Sequence, residues 1–251
     1  MDTFILTLAG VFIVSLVSLC GIIFFSFNEN FFKKNLSFLV IFSAGTLFGD
    51  AFIHLIPQAF FSNTLAPVEV SLSILFGILL FLIMEKILHW HHHHGMEEEC
   101  ETEKTLGFMN LAGDAVHNFV DGAAIAASFF VSNAIGIATT IAVVFHEIPQ
   151  EISDYGVLRF AGFSKKKALG MNFLSAAMAV AGALVVLFLG AGLPESFQTS
   201  IISITAGAFI YIAGTDLLPA IEKEKKLGQT MLHALFFSLG IIAMLLITLI
   251  E

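Results

Sequence analysis

Two short runs in an otherwise apolar sequence carry most of its coordination chemistry. The first, DAVHNFVDG, sets Asp114, His117, Asn118 and Asp121 three and four residues apart. The second, HEIPQEISD, contains His146, Glu147, Gln150, Glu151 and Asp154. On a helix of 3.6 residues per turn such spacings gather side chains onto one face. Asp114, His117 and Asp121 would nearly stack, with Asn118 beside them. His146 would stack over Gln150, and Glu147 over Glu151, with Asp154 continuing that stripe. Imidazole, carboxylate and amide without thiolate suit zinc, and also iron(II), manganese or cadmium. Two histidines argue against magnesium and calcium, which take oxygen ligands. Copper(I) would require Cys or Met, and neither motif has one. A mixed and rather weak set fits passage better than storage, because a transported ion must be released again. More than four ligand candidates imply two adjacent positions or a path.

The elements that must hold these residues follow from composition. Charged residues make up 12% of the 251, against about a quarter in soluble chains, and hydrophobic residues 57%. A helix crosses the hydrocarbon core with about 20 apolar residues, and eight segments qualify: 4–27, 36–61, 68–88, 106–131, 134–158, 168–193, 197–220 and 231–250. The first lacks a basic leader region and reads as a retained span rather than a signal peptide. The expected fold is an all-α integral membrane protein of a single transmembrane domain, 1–251, because lipid offers the backbone no hydrogen-bond partner. All 11 basic residues fall at or in the connections after spans 1, 3, 5 and 7. By the positive-inside rule those connections are cytosolic, and both termini face outward.

Ionisable residues within a span cost roughly 2.5–3.5 kcal/mol each at the bilayer centre. A lone Asp–His pair would be an interhelical hydrogen bond. Here Asp114, Asp121, Glu147 and Glu151 share two spans that have no interior Lys or Arg. Buried carboxylates then need a proton or a cation, and a metal ion is the simplest source of positive charge. Pro149 removes a backbone donor and crowds the carbonyl of Phe145, so a kink is expected there. Gly122 would let a neighbouring backbone come close.

HNFVDG and HEIPQE closely resemble the signature of the ZIP metal transporter family, in the branch with HNxxDG and HExPHE. The resemblance covers essentially the whole chain. It implies a bundle in a 3+2+3 arrangement, with spans 1–3 and 6–8 forming an inverted pseudo-repeat around spans 4 and 5. It implies that His117, Asp121 and His146 form the primary metal site, with Asn118 and Glu147 in a second adjacent site that Asp121 can also serve. Asp50 and His54, in GDAFIHLIP, and Asp216, in YIAGTDLLP, are then expected to line the path, with Asp114 and Asp154. Gln150 stands where the full pattern has a second His. Its neutral oxygen makes the primary site weaker or harder and leaves iron or manganese open beside zinc.

His89, His91, His92, His93 and His94, in the connection 89–105, are candidates for an accessory cytosolic metal site, weighed equally against a solvated loop. Cys20 and Cys100 are too few for a disulfide framework. His233 reads as packed or interfacial, and Asn172 and Ser175 as interhelical hydrogen bonders. The expected substrate is Zn2+, moved into the cytosol, with Fe2+, Mn2+ or Cd2+ as alternatives. The expected partners are metal ions and the lipid bilayer, with a second copy of the chain as a candidate, and no nucleic acid. The shortness of the chain points to a microbial plasma membrane. Two rivals are weighed. An intramembrane zinc hydrolase would use HEIPQ as a variant of HExxH. A sensor would bind metal without moving it.

Overall fold

The computed structural model describes residues 3–19, 29–93, 99–190, 194–218 and 227–247. Among these, every regular element is helical: α1 (Thr3–Val17), α2 (Glu29–Gly49), a π-helical turn (Asp50–Leu55), α3 (Ile56–Phe61), α4 (Pro67–His93), α5 (Glu99–Val131), α6 (Asn133–Phe160), α7 (Lys165–Ala176), α8 (Met178–Gly190), α9 (Glu195–Ile212), a second π-turn (Ala213–Leu217) and α10 (Leu227–Ile247). Five stretches are long and apolar enough to cross a membrane: Ser37–Phe61, Pro67–Met84, Lys165–Leu189, Glu195–Thr215 and Gly228–Ile247. Thr3–Val17 is a shorter apolar helix. The remaining two long helices, α5 and α6, carry the polar motifs. The protein is a multi-pass membrane protein.

Local signals explain several boundaries. Ser132 ends α5 and caps α6, its hydroxyl accepting from the Ile135 N–H at 3.1 Å. Ser164 caps α7 in the same way, accepting from Lys167. Gly162, at φ +81°, turns the chain after α6, a conformation open to glycine without strain. The π-turns end two residues before a proline, Leu55 before Pro57 and Leu217 before Pro219. The connection expected over 89–105 is helical at both ends, since α4 continues through His93 and α5 begins at Glu99. No Gly or Pro falls between Met84 and His93 to stop α4.

The helices pack in defined pairs: α2 with α10, α4 with α9, α5 with α8, α5 with α6, and α1 with α6. Glycines set the closest crossings. A Cβ on Gly45 would strike the Phe237 carbonyl, and one on Gly240 the Phe42 carbonyl. Gly77 and Gly207 meet Ile204 and Ile74 in the same reciprocal way, and Gly122 and Gly182 meet Ala179 and Phe119. Without a hydrophobic force between helices in lipid, such backbone proximity supplies the dispersion and weak C–H···O contacts that hold them. Only 17% of Pro67–Met84 and of Gly228–Ile247 is buried, against 67% of Ser37–Phe61. The first two are therefore the rim of the bundle and the last is part of its interior. Val11, Val14, Leu47, Phe81, Ile125, Val143, Ile202 and Phe209 build the central core from six different helices.

Candidate metal centre

Within that core α5 and α6 run side by side and turn their polar stripes toward each other. His117, Asp121, His146 and Glu147 converge, one ligand atom of each lying within 4.8 Å of the others. The two Nε2 atoms are 3.1 Å apart. Asp121 Oδ2 lies 3.0 Å from His146 Nε2 and 3.6 Å from His117 Nε2. Glu147 Oε1 lies 3.5 and 3.6 Å from the same two nitrogens. Ligands about 2.0–2.1 Å from a tetrahedral zinc are about 3.3 Å from one another. The five separations, 3.0 to 3.6 Å, bracket that value.

The surroundings prepare these ligands. His146 Nδ1 sits 3.2 Å from the Ala142 carbonyl, which can only accept. The proton is thereby held on Nδ1 and the Nε2 lone pair faces the cluster. Phe81, from α4, lies edge-on to His117, and Phe209, from α9, meets His146 at 61°. Asp121, His146 and Glu147 have no exposed surface, and His117 retains 8%. Among the described residues no N–H group donates to either oxygen of Glu147 or to Asp121 Oδ1, and the two carboxyl groups lie against each other. Unmet oxygens at such depth are costly unless a cation is to occupy the space between them.

A second group shares Glu147: Asp114, Glu147 and Glu151 also converge within 4.8 Å. Asp114, expected on the path, thus stands in a cluster. Its Oδ1 accepts from Asn118 Nδ2 at 3.0 Å and from Gln150 Nε2 at 3.1 Å. Asn118 and Gln150 therefore spend their amide nitrogens on Asp114. Asn172, on α7, donates to a Glu151 carboxylate oxygen, and Ser175 Oγ to the Leu111 carbonyl at 3.2 Å. Asp154 accepts from Asn110 at 2.9 Å and lies against Asp114, a member of that group.

The outlying expectations fall elsewhere. Asp50 and His54 occupy the first π-turn, where His54 Nδ1 is 3.1 Å from Asp50 Oδ1. That turn packs against α6 and α9 without joining either cluster. Asp216 is in the second π-turn, and its side chain lies outside the described residues, as do those of His89 and His91–His93 and the whole of His94. His233 is 6% exposed and packs on the Phe38 ring.

Ser43, on α2, is a participant that sequence reasoning missed. Its hydroxyl lies 2.6 Å from the Phe145 carbonyl, the group deprived of its helical partner by Pro149. Asn110, Phe81 and Phe209 were also missed. Only Asn110 had a signal, being one turn before Asp114 on the same stripe.

These features define a polytopic membrane protein with a buried His/carboxylate centre sized for a divalent transition metal. The family model described as "ZIP Zinc transporter" matches residues 1–104 and 90–248. "Zinc transporter zipt-7.1" of Caenorhabditis briggsae is 27% identical, over 100% of this chain and 80% of its own length. "Zinc transporter SLC39A7" of Canis lupus familiaris is 30% identical, over 87% of this chain and 65% of its own length. "Zinc transporter ZIP13" of Pongo abelii is 31% identical, over 84% and 66%. The chain thus spans just under two thirds of the length of the last two relatives. It belongs to the ZIP zinc transporter family, a family of transporters and not of enzymes.

Proposed function

We propose that the chain carries zinc across its membrane into the cytosol, handing the ion through the cluster of His117, Asp121, His146 and Glu147. The observation that carries this reading is the zinc-sized convergence of two imidazole nitrogens and two carboxylates on two adjacent helices, with His146 fixed in the ligating tautomer. The names of the relatives support zinc as the substrate. Gln150, turned to Asp114, supplies no second imidazole, which leaves Fe2+, Mn2+ and Cd2+ as further substrates of the same centre.

The reading includes eight spans with outward termini, supported by the alternation of basic residues and by helices in each of the eight segments. The inverted 3+2+3 arrangement is supported by the packing pairs. Exchanging spans 1 with 6, 2 with 7, 3 with 8 and 4 with 5 turns the pair α2–α10 into α9–α4, and α5–α8 into α6–α1, so each pair has its counterpart. The reciprocal glycine crossings of α2–α10 and α4–α9 obey the same exchange. Asp50, His54, Asp154 and Asp216 line the approach and exit. The histidines between 89 and 94 act as an accessory cytosolic site, the membrane is the plasma membrane, and a second copy of the chain is the candidate protein partner.

The test is metal uptake by proteoliposomes holding an internal fluorescent chelator, with zinc, iron(II), manganese and cadmium compared. Saturable zinc flux that His117→Ala and Glu147→Ala both abolish is the expected result. Tight binding without flux would sink the transporter reading in favour of a sensor.

A further inference from the structure

Two helices give way beside the same turn of α5. In α6 the break is Pro149, and the next residue, Gln150, donates to Asp114 at 3.1 Å. The other is Ala177, which separates α7 from α8 at the middle of the apolar stretch Lys165–Leu189. Two residues before it, Ser175 donates to the Leu111 carbonyl. The Val180 N–H turns to the Ala177 carbonyl at 3.1 Å, where a continuous helix would send it to Ala176. Among the described residues no backbone hydrogen bond runs directly from α8 to α7. Lipid cannot satisfy the groups so stranded, and a break at this depth persists only where protein meets them. Ser15, on α1, donates to the Ala176 carbonyl at 3.0 Å, as Ser43 does to the Phe145 carbonyl stranded by Pro149.

The stretch between the breaks, residues 150–176, is a unit of its own. Its two arms are the end of α6 and the whole of α7. Asn172 ties them together by donating to the Glu151 carboxylate, and Arg159 ties the turn by donating to the Phe163 carbonyl. Tyr155, Leu158, Ala161, Phe163 and Ala168 form a small apolar cluster separate from the central core. The central core instead takes Val143, before Pro149, and Ala179 and Ala183, after Ala177. Outside itself the unit is held by single side-chain bonds to α5 and α1: Asn110 to Asp154 at 2.9 Å, Gln150 to Asp114, Ser175 to Leu111 and Ser15 to Ala176. A small cluster and a few single bonds leave this stretch easier to open than the central core. The Pro149 boundary also divides the polar stripe of α6. His146 and Glu147 stay with His117 and Asp121, whereas Gln150, Glu151 and Asp154 ride on the unit.

We propose that residues 150–176 form a hinged flap, pivoting at Pro149 and Ala177, that closes the inner side of the histidine cluster and swings away from α5 to let the ion leave. Both pivots bend where helical hydrogen bonds are already missing, and a serine from a third helix holds the freed carbonyl at each. Opening draws Glu151 and Asp154 away from Asp114 and Glu147, so the carboxylates below the cluster come apart. The four residues of the cluster lie outside the flap and keep their geometry. The central core, to which α8 and the first half of α6 belong, stays closed on the other side. The release of an ion rests on the transport reading; the hinge itself does not.

Two measurements on the full-length protein carrying Cys20→Ala and Cys100→Ala test it. Gly107, on α5, faces the flap, and an added Cβ there would lie 2.9 Å from that of Ala161. A disulfide sets its two Cβ atoms about 3.8 Å apart, so Gly107→Cys with Ala161→Cys pins the flap shut after a small outward shift. In proteoliposomes the oxidised protein should lose its zinc flux and regain it on reduction with dithiothreitol. Flux undiminished by the lock would overturn the proposal. The second measurement needs neither flux nor a crowded substitution. Spin labels at Gly170→Cys, where nothing lies within 4 Å of an added Cβ, and at Leu189→Cys, 62% exposed, sit on either side of Ala177. Their separation, read by double electron–electron resonance, should shift by about 2 Å or more between zinc-saturated and chelator-treated protein. A single distance common to both conditions would overturn the hinge, whether or not the double-cysteine protein folds. A flap that moves in a protein that carries no zinc would leave the hinge standing and sink the transport reading.

Discussion

The facing stripes of α5 and α6 and the first π-turn both place an aspartate and a histidine in the apolar interior, yet they hold them differently. In the π-turn, His54 and Asp50 are four residues apart on one helix and bond to each other at 3.1 Å. On α5 and α6 the histidines and carboxylates come from two helices and meet at 3.0 to 3.6 Å, and among the described residues no N–H group donates to Asp121 Oδ1 or to either oxygen of Glu147. The pair in the π-turn is not wholly satisfied either, since His54 Nε2 is buried with no hydrogen-bond partner among the described residues, but it offers only one imidazole and one carboxylate. A cluster assembled across two helices keeps its shape because each backbone is anchored elsewhere, and so can stay open for an ion. Polarity at depth is common to both regions, and convergence is what separates a binding centre from a lining.

The largest effect should come from setting the two regions against each other in the flux assay. His146→Ala removes a nitrogen with a fixed tautomer from the centre, and zinc flux should fall about 100-fold or more, beyond what loss of an outer partner costs. His54→Ala should lower flux about tenfold or less. Equal losses would break the distinction and make the π-turn a part of the centre.

Next comes the backbone that carries the cluster. Gly122 lies one residue from Asp121, and a Cβ there would overlap the Ala179 carbonyl of α8. Because the obstruction is backbone, Gly122→Val should cost about 3 kcal/mol or more, at or above the upper end of ordinary overpacking. Gly214, in the second π-turn, has nothing within 4 Å of its added Cβ. Gly214→Ala should stay within about 1 kcal/mol of wild type, the range of helix propensity. Folded yield and thermal unfolding in detergent measure both. A tolerated Gly122→Val would mean that α5 and α8 are not in register at this crossing.

A third substitution sharpens the chemistry of the centre itself. Gln150→His should strengthen zinc binding relative to manganese by about tenfold, since an imidazole replaces an amide on the His146 stripe. It also removes a donor from Asp114. Competition dialysis with the two ions reads the ratio, and an unchanged ratio would show that position 150 belongs wholly to the carboxylate group.

Much of the centre was legible because α5 and α6 are regular where it matters. Spacings of three and four residues place Asp114, His117 and Asp121 on one stripe, and Glu147 and Glu151 on another, without knowledge of any neighbour. What periodicity could not supply was the partner across the gap. Whether Asn118 turns to a metal or to Asp114 depends on rotamers, and here its nitrogen goes to Asp114. The π-turns were illegible for a related reason: an i to i−5 turn shifts the faces that follow it, and only the downstream prolines hint at it. The five long apolar stretches stand out by composition alone, whereas the break between α7 and α8 at Ala177 follows no Gly or Pro signal.

Ser43 tests the smallest difference between the regions, how each repairs its own backbone. In the first π-turn the Ile56 N–H reaches back to the Ala51 carbonyl, so the helix mends itself before Pro57. In α6 the Phe145 carbonyl, stranded by Pro149, is met from another helix by Ser43 Oγ at 2.6 Å. That hydroxyl also lies 2.8 Å from the Leu39 carbonyl, so one proton has two acceptors in reach, and the shorter contact favours Phe145. Ser43→Ala should leave the buried carbonyl unmet and cost about 1 kcal/mol of stability, the scale of one hydrogen bond. Ser43→Thr should restore most of it. Phe145 immediately precedes His146, so the lost bond should also loosen the ligand, with zinc affinity falling no more than about threefold. Thermal unfolding and zinc titration of the two variants check both numbers. An alanine variant as stable as wild type would show that α6 mends its own carbonyl, as the π-turn does.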